Sequence, residues 1–136
     1  MKHKPKDIQY CERLFQSFYE IGSTPQGGVT RLGYTETEDA MHEVFKGLGR
    51  ELGASVITDE VGNTYVTNTD EDGYTLIGSH LDSVIEGGRY DGVAGVMAGL
   101  MVMRWAKEGG IRIPLRVGRS GVRSPVILGA VRSVVD

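Results

Sequence analysis

Glycine constrains this chain more than any other residue: it fills 20 of 136 positions, about twice the share in an ordinary globular protein. Inside helices and strands glycine costs backbone entropy. A chain rich in it therefore places it where the backbone must turn sharply or approach another group closely. Pairs stand at Gly27-Gly28, Gly87-Gly88 and Gly109-Gly110. Between these breaks the apolar residues keep regular periods.

Tyr10, Leu14, Phe15, Phe18 and Ile21 recur at helical spacing and predict a helix over residues 6–21, with Gly22 at its C-cap. Residues 22–34, with Pro25 and the first glycine pair, read as a loop. A second helix starts near Thr35 or Thr37, with Glu36, Glu38 and Asp39 at the positive end of its dipole. Its expected stripe is Ala40, Met41, Val44, Phe45, Leu48 and Leu52, and Gly53 ends it. The period then shortens. Residues 54–58 and 64–68 read as strands joined by the turn Asp59-Glu60-Val61-Gly62-Asn63. Residues 74–79 form a third strand, apolar enough for burial on both faces. A third helix spans 91–107, with Val93, Val96, Leu100 and Met103 on one side. Residues 111–117 form a fourth strand, which Pro114 limits to a sheet edge or to the strand's own beginning. This order predicts an α/β fold with a parallel or mixed sheet.

Composition excludes several classes. The chain has 15 basic and 18 acidic residues, a net charge of −3. A nucleic-acid binder relying on a broad basic face is not expected. Cys11 is the single cysteine, so no internal disulfide can form. The longest apolar run, residues 92–103, is too short to cross a bilayer. The basic start, Met-Lys-His-Lys-Pro-Lys, has no apolar stretch behind it, so no secretory signal is expected. The expected location is the cytoplasm, with no membrane partner.

The chemistry-bearing run is Gly78-Ser79-His80-Leu81-Asp82, followed by Gly87-Gly88-Arg89-Tyr90-Asp91-Gly92. His80 and Asp82 stand two apart at a strand end and project to the same side. Ligand sites of open α/β sheets lie at the carboxyl ends of strands. There an imidazole can bind a metal and a nearby carboxylate can orient it. The glycine-rich turn lets Asp91 fold back towards His80. Each residue also has a plainer reading: His80 as a hydrogen-bonded histidine, Asp82 as the partner of a loop amide, Asp91 as a helix N-cap. His42 reads as solvated, Glu86 as surface and Cys11 as packing.

Taken together, Gly-Ser-His-Leu-Asp-Ser-Val and Gly-Gly-Arg-Tyr-Asp-Gly-Val-Ala-Gly-Val resemble the M20-type metallohydrolases. The likeness is to the branch of N-carbamoyl-L-amino-acid hydrolases, β-ureidopropionases and allantoate amidohydrolases. Gly27-Gly28-Val29-Thr30-Arg31-Leu32 and the 59–63 turn resemble the same branch, so the likeness covers about residues 6–117. The resemblance implies the N-terminal part of a zinc-hydrolase catalytic domain, a three-layer helix/sheet/helix fold, incomplete here. It implies two divalent metals, zinc or else manganese or cobalt. His80 would bind one, Asp91 would bridge both, and Asp82 would be the carboxylate beside His80. The substrate would be a small N-carbamoyl amino acid or related ureido acid, hydrolysed at a C–N bond. M20-type aminopeptidases or deacylases are the alternative within the enzyme class, and a non-catalytic remnant is the alternative outside it. Intact members are often homodimers.

The family pattern expects a Glu-Glu pair after the fourth strand, histidines further on, and an inserted lid or dimerisation domain. None of these is in this sequence. Residues 1–108 hold 10 basic and 17 acidic side chains, whereas 109–136 hold 5 and 1. The last twenty residues contain no lysine, glutamate or aromatic residue. Allowed codons for residues 118–136, read as each third base with the next two bases, can encode Ala-Phe-Arg-Cys-Glu-Glu-Ser-Ser-Asn-Phe-Gly. The expectation is that 1–117 is the first portion of the catalytic domain and that 118–136 is a frameshift product. Sequencing the coding DNA tests this. The shifted frame after codon 117 is expected to spell that peptide, and a frame unable to encode Glu-Glu there contradicts the reading.

Overall fold

The computed structural model describes residues 5–118. The elements run α1 (Pro5–Tyr19), α2 (Glu36–Glu51), β1 (Ser55–Thr58), β2 (Thr64–Thr67), β3 (Thr75–Ile77), α3 (Val93–Glu108) and β4 (Leu115–Val117). The strands form one mixed sheet in the order β1-β2-β4-β3. The β1–β2 and β2–β4 pairs are antiparallel, and β3–β4 is parallel across the α3 crossover. The expected α/β arrangement is present. The division at 117–118 and the frameshift reading concern a tail whose residues 119–136 lie outside the described ones.

α2 and α3 pack on one face of the sheet, and α1 packs against these two helices. Val66 and Val117 are register partners and so share that face. α2 meets it where Gly49 abuts Val66, and α3 where Gly99 abuts Val117. One apolar cluster joins Leu14 and Phe18 of α1, Met41, Phe45 and Leu48 of α2, Val96 and Leu100 of α3, and Val66, Leu115 and Val117 of the sheet. The described residues thus supply a sheet whose one face is covered by α2 and α3.

Three expectations need adjusting. The fourth strand begins at Leu115, after Pro114, and lies between β2 and β3. Proline has no N–H to give a ladder, so pairing starts only beyond it. β3 is shorter than residues 74–79 and flanks the described sheet, with Thr75 exposed and Leu76 buried. The buried face of α2 is Glu38, Met41, His42, Phe45, Leu48 and Gly49. Ala40 and Val44 lie at its margin.

The turns follow from side-chain chemistry. Thr35 is the N-cap of α2, its hydroxyl accepting from the Glu38 amide. In the β1–β2 turn the Asp59 carboxylate accepts from the Val61 and Asn63 amides, the Asn63 side chain and the Tyr65 hydroxyl. Partial burial opposes its ionisation, but these hydrogen bonds outweigh it and hold the carboxyl below its ordinary value.

Arg31 is 1% exposed, yet it caps α1. Its Nε donates to Ile21 O at 2.7 Å and its Nη2 to Phe18 O at 2.8 Å. α1 has no basic residue in its own last turn. Arg31 brings positive charge there from across the loop, where the helix dipole favours it. Burial pushes the guanidinium down to about 10, so it remains charged at neutral pH. Its backbone meanwhile pairs with Ser83: the Arg31 amide donates to Ser83 Oγ at 2.9 Å, and the Ser83 amide donates to Arg31 O at 2.8 Å. One residue thus ties the end of α1 to the loop just after Asp82. Replacing Arg31 with Met leaves the Phe18 and Ile21 carbonyls without their donor. We expect a loss of about 3 kcal/mol in urea unfolding. An unchanged midpoint would show that the cap contributes nothing.

Candidate active site

The parallel β3–β4 pair and its α3 crossover create the site. β3 ends at Ile77, and the chain leaves it through Gly78 and Ser79 to His80. From there it loops through Asp82 and Gly87 and returns at Asp91 to start α3. Two pairs of hydrogen bonds hold the loop to the 27–32 segment. Val29 and Gly87 exchange hydrogen bonds of 3.0 and 2.8 Å, and Arg31 pairs with Ser83 as described. The Gly27–Leu32 segment is thus a strap beneath the loop that carries the acidic residues.

The structure brings together His80, Asp82 and Asp91. His80 Nδ1 lies 3.1 Å from the Asp82 backbone carbonyl and 3.2 Å from Asp82 Oδ1. The backbone carbonyl can only accept, so Nδ1 carries the proton and donates to it, with the Asp82 carboxylate alongside. In the neutral ring that leaves the lone pair on Nε2. Nε2 points to Asp91 Oδ2 at 3.5 Å. A lone pair and a carboxylate facing each other repel unless a positive charge lies between them. A proton on Nε2 supplies one as an ion pair, and a cation held by both atoms is the other solution. Two donors of one zinc, each about 2.0–2.2 Å from it, stand about 3.4 Å apart at a tetrahedral angle. The observed separation fits that spacing.

Exposure divides the roles. The Asp82 side chain is 5% exposed, that of His80 35% and that of Asp91 70%. The carboxylate behind the ring is buried, and the one in front faces solvent. Asp91 is not the N-cap of α3. Gly92 occupies that position at φ 72°, ψ −51°, and no side chain caps the helix. The Val93 amide donates to Asp91 O at 2.8 Å across Gly92, a classic γ-turn that turns the chain before the helix begins. On its other side Tyr90 packs edge-on against Phe15 with centroids 4.8 Å apart. Arg89 lies over both Tyr19 and Tyr90, about 5 Å from each ring. These contacts dock the turn onto α1 and line a shallow cleft of about 250 Å³ with Glu12 and Gln16.

Among the described residues no group of three or more His, Cys, Asp or Glu side chains is arranged to hold a metal ion. A zinc site normally takes three or four protein ligands. His80 and Asp91 therefore fit a metal as part of a ligand set, not as a whole one. No helix among the described residues is long and apolar enough to cross a membrane.

Sequence reasoning missed His42. It is 2% exposed, with Nδ1 2.8 Å from Thr64 Oγ1 and Nε2 3.3 Å from Glu38 Oε1. Glu38 is fully buried and accepts from the Tyr34 amide at 2.5 Å. The expected solvated histidine instead joins α2 to β2. The signal was present: Glu38, Met41, His42, Phe45 and Gly49 keep helical spacing, so His42 belongs to the buried stripe. Glu86 is exposed as expected, and Cys11 packs partly buried against the core.

No protein-family model matches the chain. Individual proteins do. Over 107 residues it is 41% identical to the N-carbamoyl-L-amino acid amidohydrolase of Geobacillus stearothermophilus, a match covering 74% of this chain and 26% of that protein. It is 39% identical over 103 residues to the allantoate amidohydrolase of Bacillus subtilis, covering 73% of this chain and 24% of the relative. The crystal structure of a hydantoinase/carbamoylase family amidase from Burkholderia ambifaria superposes with a TM-score of 0.74 at 39% identity, over 79% of this chain and 28% of that one. The chain spans about a quarter of the length of the curated relatives it matches. In sequence and in fold, this chain is a relative of the hydantoinase/carbamoylase amidases.

Proposed function

We propose that residues 1–117 are the first portion of the catalytic domain of a metal-dependent amidohydrolase of this group, with 118–136 a tail read in a shifted frame. The reaction is hydrolysis of a C–N bond in an N-carbamoyl amino acid or related ureido acid. The observation that carries this reading is His80 Nε2 facing Asp91 Oδ2 over 3.5 Å, with Nδ1 held from behind by Asp82. Support for the substrate class comes from relatives named as amidohydrolases of N-carbamoyl amino acids and of allantoate.

His80 would hold one of two divalent metals through Nε2, and Asp91 would bridge the two. Such cations, when bound, supply Lewis acidity that acidifies a water and polarises a carbonyl. The remaining steps belong to the chain. Asp82 fixes the ring tautomer and makes the imidazole a better donor. Its burial in the loop keeps that orientation when solvent enters. The exposed Asp91 side chain offers its oxygens to the open side of the site. The remaining ligands and the general base lie beyond these three residues.

A non-catalytic remnant is the second reading, favoured by the absence of a three-ligand cluster among the described residues. Calorimetric titration of the full chain with Zn²⁺, alongside His80→Ala and Asp91→Ala, tests the metal reading. We expect weak binding in the native chain and at least tenfold weaker binding in either variant. Equal affinity in all three would contradict the assignment. Turnover of N-carbamoyl amino acids by the chain would overturn the remnant reading.

A further inference from the structure

Gly92 follows Asp91, and its Cα hydrogen faces the His80 ring. A methyl group built there would lie 2.5 Å from His80 Nδ1 and 2.6 Å from Cε1, and would also strike the His80 carbonyl. Real carbon contacts are not that short. The backbone at Gly92 also has the positive φ of a classic γ-turn, strained for any L-residue with a side chain. One atom position thus serves two groups: the bare Cα seats the imidazole, and the turn centred on it sets the direction of Asp91.

We infer that Gly92 is a positioning residue that holds the His80 imidazole edge against Asp91. The inference rests on the metal reading only for its consequence, since the seating of the ring is a property of the metal-free chain. Three edges confine the ring. Asp82 holds Nδ1, Gly92 closes on Nδ1 and Cε1, and Asp91 faces Nε2. Any side chain at 92 must push the ring off Asp82, or swing Asp91 away, or both. Gly95 and Gly99 continue the same face of α3. A methyl group at Gly95 would meet Ser79 Cβ at 2.6 Å, and one at Gly99 would meet Val117 Cγ1 at 2.7 Å. Gly99 therefore supplies a packing control of similar crowding, away from the ring.

Imidazole nitrogen–proton correlation NMR on the metal-free full chain separates these effects. We expect Gly92→Ala to shift both His80 ring nitrogens while leaving those of His42 in place. Gly99→Ala should leave His80 unmoved. Zn²⁺ added alone should bind Gly92→Ala at least tenfold more weakly than the native chain. Unshifted His80 nitrogens in Gly92→Ala would overturn the inference, as would an equal shift in Gly99→Ala. Should Gly92→Ala not fold, D-alanine introduced at 92 by ligation accepts positive φ and puts its methyl on the other side of Cα. Native His80 resonances there support the seat, and displaced ones overturn it. If the resonances shift as expected but native and variant chains bind Zn²⁺ equally, the metal reading fails while the seat stands.

Discussion

The structure depends on the close approach of α3 to the β3–β4 pair, which missing side chains make possible. Gly92, Gly95 and Gly99 lie on one face and meet His80, Ser79 and the Val117–Ile77 pair in turn. Side chains ordinarily stand between a helix and the sheet it covers. Here three bare Cα positions leave no room for them along one line. That line runs from the core, where Val117 and Leu100 are fully buried, to the site, where His80 is partly open.

A second chain of contacts works from beneath. Arg31 caps α1 with its side chain and pairs with Ser83 through its backbone. Ser83 follows Asp82, so the end of α1, the 27–32 strap and the carboxylate behind His80 are tied together by hydrogen bonds. The aromatic and cation–π contacts of Phe15, Tyr19, Arg89 and Tyr90 tie the opposite side of the loop to the same helix. A loop whose own apolar residues Val84 and Ile85 are exposed would otherwise have little to hold it.

Much of this was legible in the sequence because period and punctuation are local properties. The helical spacing of α1 and α3, the Thr35 cap and the Asp59–Asn63 turn all follow from neighbouring residues. So did the grouping of His80, Asp82 and Asp91, which needs only a strand end and a glycine turn. Non-local facts were out of reach. That Arg31 is buried depends on where α1 ends in space. That β4 lies inside the sheet depends on β2 returning beside it. His42 was misread because a polar residue within an apolar stripe looks solvated until Thr64 and Glu38 are seen to satisfy it. Asp91 was open between cap and ligand, and the γ-turn at Gly92 decided against the cap.

The central claim is that one imidazole and one carboxylate face each other as parts of a metal centre. X-ray absorption at the zinc edge, on the chain loaded with Zn²⁺ below one equivalent, reads that shell directly. The account predicts one imidazole nitrogen and carboxylate oxygen in the shell at about 2.0–2.2 Å, with the imidazole scattering lost in His80→Ala. A shell that lacks imidazole, one containing sulfur from Cys11, or one unchanged in His80→Ala would contradict it.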